Sequence, residues 1–129
     1  MSQTLADFGL IRKSIPGYEK RHGQLKMAQA VEEALAERHH LAVEAPCGIG
    51  KSFAYLVPAI RHALATKTRV VVVTANIALQ EQLIEKDLPL LARSLPEHFS
   101  YALIKGINNY LCRDRYEEAK ESAAQLFLD

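Results

Sequence analysis

The chain has 129 residues, 49% of them hydrophobic, enough for one globular domain with a real core. Charged residues make up 24% and are spread along the chain, which argues against disorder. Sixteen Lys and Arg against fifteen Asp and Glu give a net charge of +1, a balance that neither requires nor excludes nucleic acid, since a local basic groove can hide in a neutral total.

Residues 1–17 are mixed and end in the turn signal Ile15-Pro16-Gly17, so they read as an N-terminal extension. They lack a charged start followed by an apolar stretch, and no apolar run approaches the ~20 residues of a membrane span. Two cysteines, Cys47 and Cys112, make no disulfide framework. A cytoplasmic, reduced protein without a membrane partner is expected.

From Gln24 to Arg38 the pattern is helical, with Leu25, Ala28, Val31 and Leu35 on one face. Leu41-Ala42-Val43 reads as a short buried strand ending at Glu44. Phe53 to Leu64 is helical again, with Pro58 expected to kink or break it. Thr66 to Thr68 is a turn. Val70 to Val73 is a run of β-branched residues, a strand buried on both faces. Ile77 to Ala92 is helical, with a kink or end at Pro89. Tyr101 to Ile104 is a candidate third strand, and Lys105 to Cys112 a polar loop. Arg115 to Phe127 carries Tyr116, Ala119, Ala123 and Phe127 at helical spacing. Strands alternating with helices imply an α/β fold, a parallel sheet flanked by helices and joined by right-handed crossovers.

The segment Ala45-Pro46-Cys47-Gly48-Ile49-Gly50-Lys51-Ser52 matches the Walker A phosphate loop, except that Ala stands at its first position. Gly48 and Gly50 permit backbone angles closed to other residues and leave room for phosphate oxygens. Successive N–H groups then form an anion nest at the start of the next helix. Lys51 reaches the β- and γ-phosphates of ATP, and the Ser52 hydroxyl takes one position on magnesium. The expected strand before the loop and helix after it weigh against a chance match. Cys47 reads either as a thiol activated by the helix N-terminus or as a small filler whose backbone matters more than its sulfur.

Four segments resemble the DinG/XPD family of superfamily 2 DNA helicases, in that family's order. Tyr18-Glu19-Lys20-Arg21-His22-Gly23-Gln24 is similar to its adenine-recognition segment, and Val43 to Ser52 to its phosphate loop. Thr74 to Leu83 is similar to its motif Ia. Leu103-Ile104-Lys105-Gly106-Ile107-Asn108-Asn109-Tyr110-Leu111-Cys112 resembles the entry to its iron–sulfur domain. The bacterial DinG-like branch is the closer one.

The resemblance implies a partial RecA-like ATP-binding domain over 18–111, with 112–129 beginning an iron–sulfur-type insertion. It implies an ATP-driven motor moving 5′ to 3′ on single-stranded DNA, with a role in DNA repair. Gln24 would meet the adenine edge, since an amide presents one donor and one acceptor side by side. Arg21 would help hold the pocket, and Tyr18 would stack on the base. Read from the residues alone, all three are solvated residues before a helix. Thr74, Asn76 and Gln80, with Lys105 and Asn109, would lie along the DNA backbone. From the residues alone, Thr74 ends a strand and Asn76 caps a helix. Cys112 alone reads as an apolar filler, and the resemblance makes it the first of four ligands to a [4Fe-4S] cluster.

Two departures stand out. Ile49 and Cys47 replace small polar residues of the family's loop. No acidic magnesium segment of the Asp-Glu-Ala-His type and no second motor domain appear. The expectation is therefore the N-terminal piece of a longer helicase that binds ATP but does not turn it over alone. Two other functions stay open. One is a small P-loop phosphotransferase, against which Arg61, Arg69, Arg93, Arg113 and Arg115 suggest no substrate clamp. The other is a non-catalytic docking module in a larger replication, repair or plasmid-encoded nucleoprotein complex.

Overall fold

The computed structural model describes residues 3–15, 17–19 and 21–126. Six α-helices follow one another among them: α1 Gln3–Ser14, α2 His22–Glu37, α3 Lys51–Thr66, α4 Ile77–Gln82, α5 Leu88–Ser94 and α6 Arg113–Leu126. A π-helical turn, Leu83–Asp87, joins α4 to α5, and a 3₁₀ turn spans Ile107–Asn109. No helix among the described residues is long and apolar enough to cross a membrane.

α3 is the central rod. Its buried positions run consecutively from Leu56 to Ile60, so apolar contact surrounds it there instead of forming one stripe. α2 packs along it with Ala28. Phe8 and Ile11 of α1, with Leu83, Leu91 and Leu95, complete the core. Composition did not single out α1. Its buried positions Thr4, Asp7, Phe8 and Ile11 have helical spacing, but two of the four are polar, which erases the apolar period.

Pro58 does not break α3, which runs through it to Thr66. Proline in a helix interior costs about 3 kcal/mol in lost bonding and clash. Here the ring is fully buried, and core contact offsets that cost. Pro89 acts differently. It lies in the first turn of α5, where a missing N–H matters least. The helical path expected from Ile77 to Ala92 widens just before it, with the Leu88 N–H bonding back to Leu83 O. The last expected helix is α6, and its expected end at Phe127 falls outside the described residues.

The expected strands are the main difference. Among the described residues there is no β-strand, and Leu41–Val43, Val70–Val73 and Tyr101–Ile104 run as irregular connections. A strand exists only through a neighbour's backbone ladder, which local sequence cannot supply. Their side chains are correspondingly bare, with Val71 80%, Val73 87% and Ile104 83% exposed. A cleft of about 450 Å³ lies between Val70–Val73 and Val31, Leu35, Tyr55 and Ala59 of α2 and α3.

Candidate functional site

The loop Ala45–Gly50 delivers the chain into the first turn of α3. Gly48 and Gly50 both adopt left-handed backbone, φ +84° and +82°. A Cβ on Gly50 would collide with Nε2 of Gln24, so this position excludes side chains for both conformation and space. Gly50 is the N-cap of α3, and no side chain caps that helix end. The first N–H groups of α3 are thus without a side-chain acceptor, which suits an anion.

Lys51 is exposed and folds back over the loop. Its Nζ donates to Ala45 O at 3.0 Å and Pro46 O at 3.1 Å. Ser52 is half-buried in the same turn. Tyr55, one turn on, has its pKa raised by burial. The Ser52 hydroxyl opposes that rise, and the charge of Asp87 adds to it. Cys47 is exposed with a free thiol, and Ile49 is half-buried within reach of Gly23 at the start of α2.

The segment Tyr18–Gln24 lies against this loop. Gln24 is 1% exposed and uses both ends of its amide. Nε2 donates to Gly50 O at 2.9 Å, while Oε1 accepts from the Tyr18 hydroxyl. Arg21 Nη1 donates to Gly48 O. Burial raises the Tyr18 pKa against the opposing effects of the Gln24 bond and the Arg21 charge, so the phenol stays a neutral donor at neutral pH. Residues 26 and 27 positions apart in sequence are therefore joined by direct hydrogen bonds. The solvated alternative does not describe Gln24, whose amide is wholly enclosed.

Thr74, Asn76 and Gln80 form a second group, closed on itself. Asn76 caps α4, its Oδ1 accepting from Leu79 N–H at 3.2 Å. Asn76 N–H donates to Thr74 Oγ1 at 3.1 Å, and Gln80 Nε2 donates to Thr74 O at 3.2 Å. The capping role read from the residues is present. Further on, Lys105 N–H donates to the Tyr110 hydroxyl at 2.9 Å, and Asn109 closes the local turn by bonding Gly106 O.

Cys112 is exposed and free. Among the described residues no group of three or more His, Cys, Asp or Glu side chains is placed to hold a metal ion. A cluster needs several convergent thiolates, so the residues here do not fit one. Magnesium fits better: Ser52 offers a hydroxyl oxygen in the first turn of α3, and phosphate and water complete such a shell.

Sequence reasoning missed one constellation. Arg61 of α3 pairs with Asp7 of α1 and Glu97 after α5. Only the helical spacing of Thr4, Asp7, Phe8 and Ile11 could have hinted at it.

The family model for the DEAD/DEAH box helicase matches residues 26–122. Over 104 residues the chain is 42% identical to the 3'-5' exonuclease DinG of Bacillus subtilis (strain 168), covering 81% of this chain and 11% of that protein. It is 42% identical over 118 residues to the ATP-dependent DNA helicase YoaA of Escherichia coli (strain K12), covering 92% and 18%. Against the ATP-dependent helicase DinG of Mycobacterium tuberculosis (strain ATCC 25177 / H37Ra) it is 45% identical over 119 residues, covering 89% and 18%. The chain thus spans between 11% and 18% of the length of these relatives.

Proposed function

Because the chain belongs to the DEAD/DEAH box helicase family, we propose that it is the ATP-binding portion of an ATP-dependent DNA helicase. One observation carries this reading: the Tyr18–Gln24 segment and the phosphate loop are joined through Arg21 to Gly48 O and Gln24 to Gly50 O. A base-reading amide and a phosphate cradle are thereby held in one site, as a nucleoside triphosphate requires.

The residues divide the work. Tyr18, Arg21 and Gln24 receive the adenine. The backbone of Ala45 to Gly50 and the first turn of α3 receive the phosphates. Lys51 leaves the Ala45 and Pro46 carbonyls and turns to the β- and γ-phosphate oxygens, a short swing for a flexible four-carbon stem. Ser52 holds magnesium, which when bound neutralises charge on the β- and γ-phosphates. Base and phosphate binding are linked here, because the enclosed Gln24 amide must open from Gly50 O and the Tyr18 hydroxyl to meet adenine.

DNA is the proposed substrate, with movement 5′ to 3′ along a single strand. Thr74, Asn76 and Gln80, with Lys105 and Asn109, are the proposed backbone contacts. Such contacts position a strand without reading its sequence. The three irregular segments are proposed as strands of a parallel sheet. Along Val70 to Val73 the exposure alternates, 38%, 80%, 44% and 87%, which is the two-residue period of a strand with one side toward α2 and α3.

The test is binding of a fluorescent ATP analogue to the full-length protein. Lys51→Ala is expected to weaken it about a hundredfold and to abolish DNA-stimulated ATP hydrolysis. Unchanged affinity and turnover in Lys51→Ala would remove the assignment.

A further inference from the structure

Arg61 lies nine positions after Ser52 on α3. At 3.6 residues per turn the two side chains project from opposite faces, roughly 13.5 Å apart along the axis. The guanidinium therefore faces away from the phosphate loop, and two other parts of the chain engage it. Its Nε and Nη2 both bond the Asp7 carboxylate in a bidentate fork. Its Nη1 pairs with Glu97 Oε1 at 2.6 Å. The Asp7 side chain has 0% exposure, Arg61 14% and Glu97 47%. One guanidinium thus ties together α1, α3 and the bend that follows α5.

We infer that Arg61 is a positioning residue for the phosphate loop, holding α3, and with it Lys51 and Ser52, in register against α1. The inference rests on the reading of Lys51 and Ser52 as triphosphate ligands. The physical case has three parts. α3 runs without interruption from Lys51 past Arg61, and its buried stretch Leu56–Ile60 is close-packed, so a shift at one end is carried to the other. A slide of α3 would strand the Asp7 carboxylate where water cannot replace its partner. The planar fork also resists rotation in a way a single lysine ammonium does not. α1 is on this account a working part of the nucleotide site, although none of its residues is placed at the loop.

The experiment uses the full-length protein with Asp7→Asn, Arg61→Lys and Glu97→Gln, and Lys51→Ala beside them. Affinity for a fluorescent ATP analogue, KM and kcat for ATP at saturating single-stranded DNA, and the thermal midpoint are measured for each. Displacing the loop weakens ground state and transition state together, so KM should rise while kcat holds. Asp7→Asn is expected to raise KM and the dissociation constant about tenfold, with kcat within about twofold. Arg61→Lys keeps the charge without the fork and should fall between, at about threefold. If Asp7→Asn does not fold, Glu97→Gln decides, because its carboxylate is half exposed. It should raise KM about threefold with the thermal midpoint nearly unchanged. Folded variants with unchanged KM overturn the inference, as does a fall in kcat alone. A Lys51→Ala protein that still binds the analogue tightly overturns the site reading instead, which keeps the two failures apart.

Discussion

Replacing Gln24 by Ala tests the joint between the segment Tyr18–Gln24 and the loop Ala45–Gly50, the proposed adenine and phosphate sites. The amide is 1% exposed, donates to Gly50 O at 2.9 Å and accepts from the Tyr18 hydroxyl. Each hydrogen bond contributes about 1 kcal/mol net, and the buried methylene next to the lost amide contributes about 0.8 kcal/mol. The substitution should therefore cost about 3 kcal/mol locally, more if the Tyr18 hydroxyl finds no new acceptor. Hydrogen exchange read by mass spectrometry on the full-length protein reports this directly. Peptides covering the first turn of α3 should exchange about a hundredfold faster, since 1.4 kcal/mol is a factor of ten. The ATP analogue should bind about tenfold more weakly, and preference for adenine over guanine should fall, because the remaining Arg21 offers only donors, which suit guanine at least as well. Exchange within about threefold of the parent would refute the claim that Gln24 holds the loop.

Other substitutions probe single features. Gly50→Ala places a Cβ against Gln24 in a backbone of φ +82°, so nucleotide affinity should fall with a stability loss of about 1–2 kcal/mol or more, read as the thermal midpoint. Asn76→Ala removes the α4 cap and should cost about 1 kcal/mol. Asn76→Asp retains a capping acceptor but adds negative charge, so a marked loss of single-stranded DNA affinity there separates a DNA contact from a cap. Glu97 has its pKa lowered from the ordinary 4.5, chiefly by the hydrogen bond from Arg61. Its contribution to stability is present above that ordinary value and is lost as pH falls through the lowered one. Glu97→Gln should therefore lower the thermal midpoint slightly at neutral pH, with the difference from the parent vanishing on the acid side.

The helices and the left-handed turns at Gly48 and Gly50 were legible in the sequence for local reasons. Gly48, Gly50, Lys51 and Ser52 carry conformational and chemical demands that few other residues meet. α2, α3 and α6 lie within a few residues of their expected bounds, because helical bonding closes within four residues. The widened turn before Pro89 was half legible: the missing N–H announces a break but not its form. α1 was hidden, because Thr4 and Asp7 on its buried face look like solvent-facing residues, and the partner of Asp7, Arg61, arrives from 54 positions away. The strands were legible only as a tendency. Four consecutive valines announce a taste for a sheet, but a ladder needs a second chain segment alongside, and none is paired with them among the described residues.

The sequence by itself determined that a glycine-containing loop with Lys51 and Ser52 enters a helix at Ala45–Ser52, since backbone freedom, charge and hydroxyl are all local properties. Only the tertiary structure decided that Gln24 is enclosed against Gly50, that Arg21 reaches Gly48, and that Arg61 anchors the same helix to Asp7 and Glu97. Each is a contact between residues far apart in the chain. Its partner is chosen by packing, which for the enclosed Gln24 and Asp7 side chains also leaves no water to bond instead.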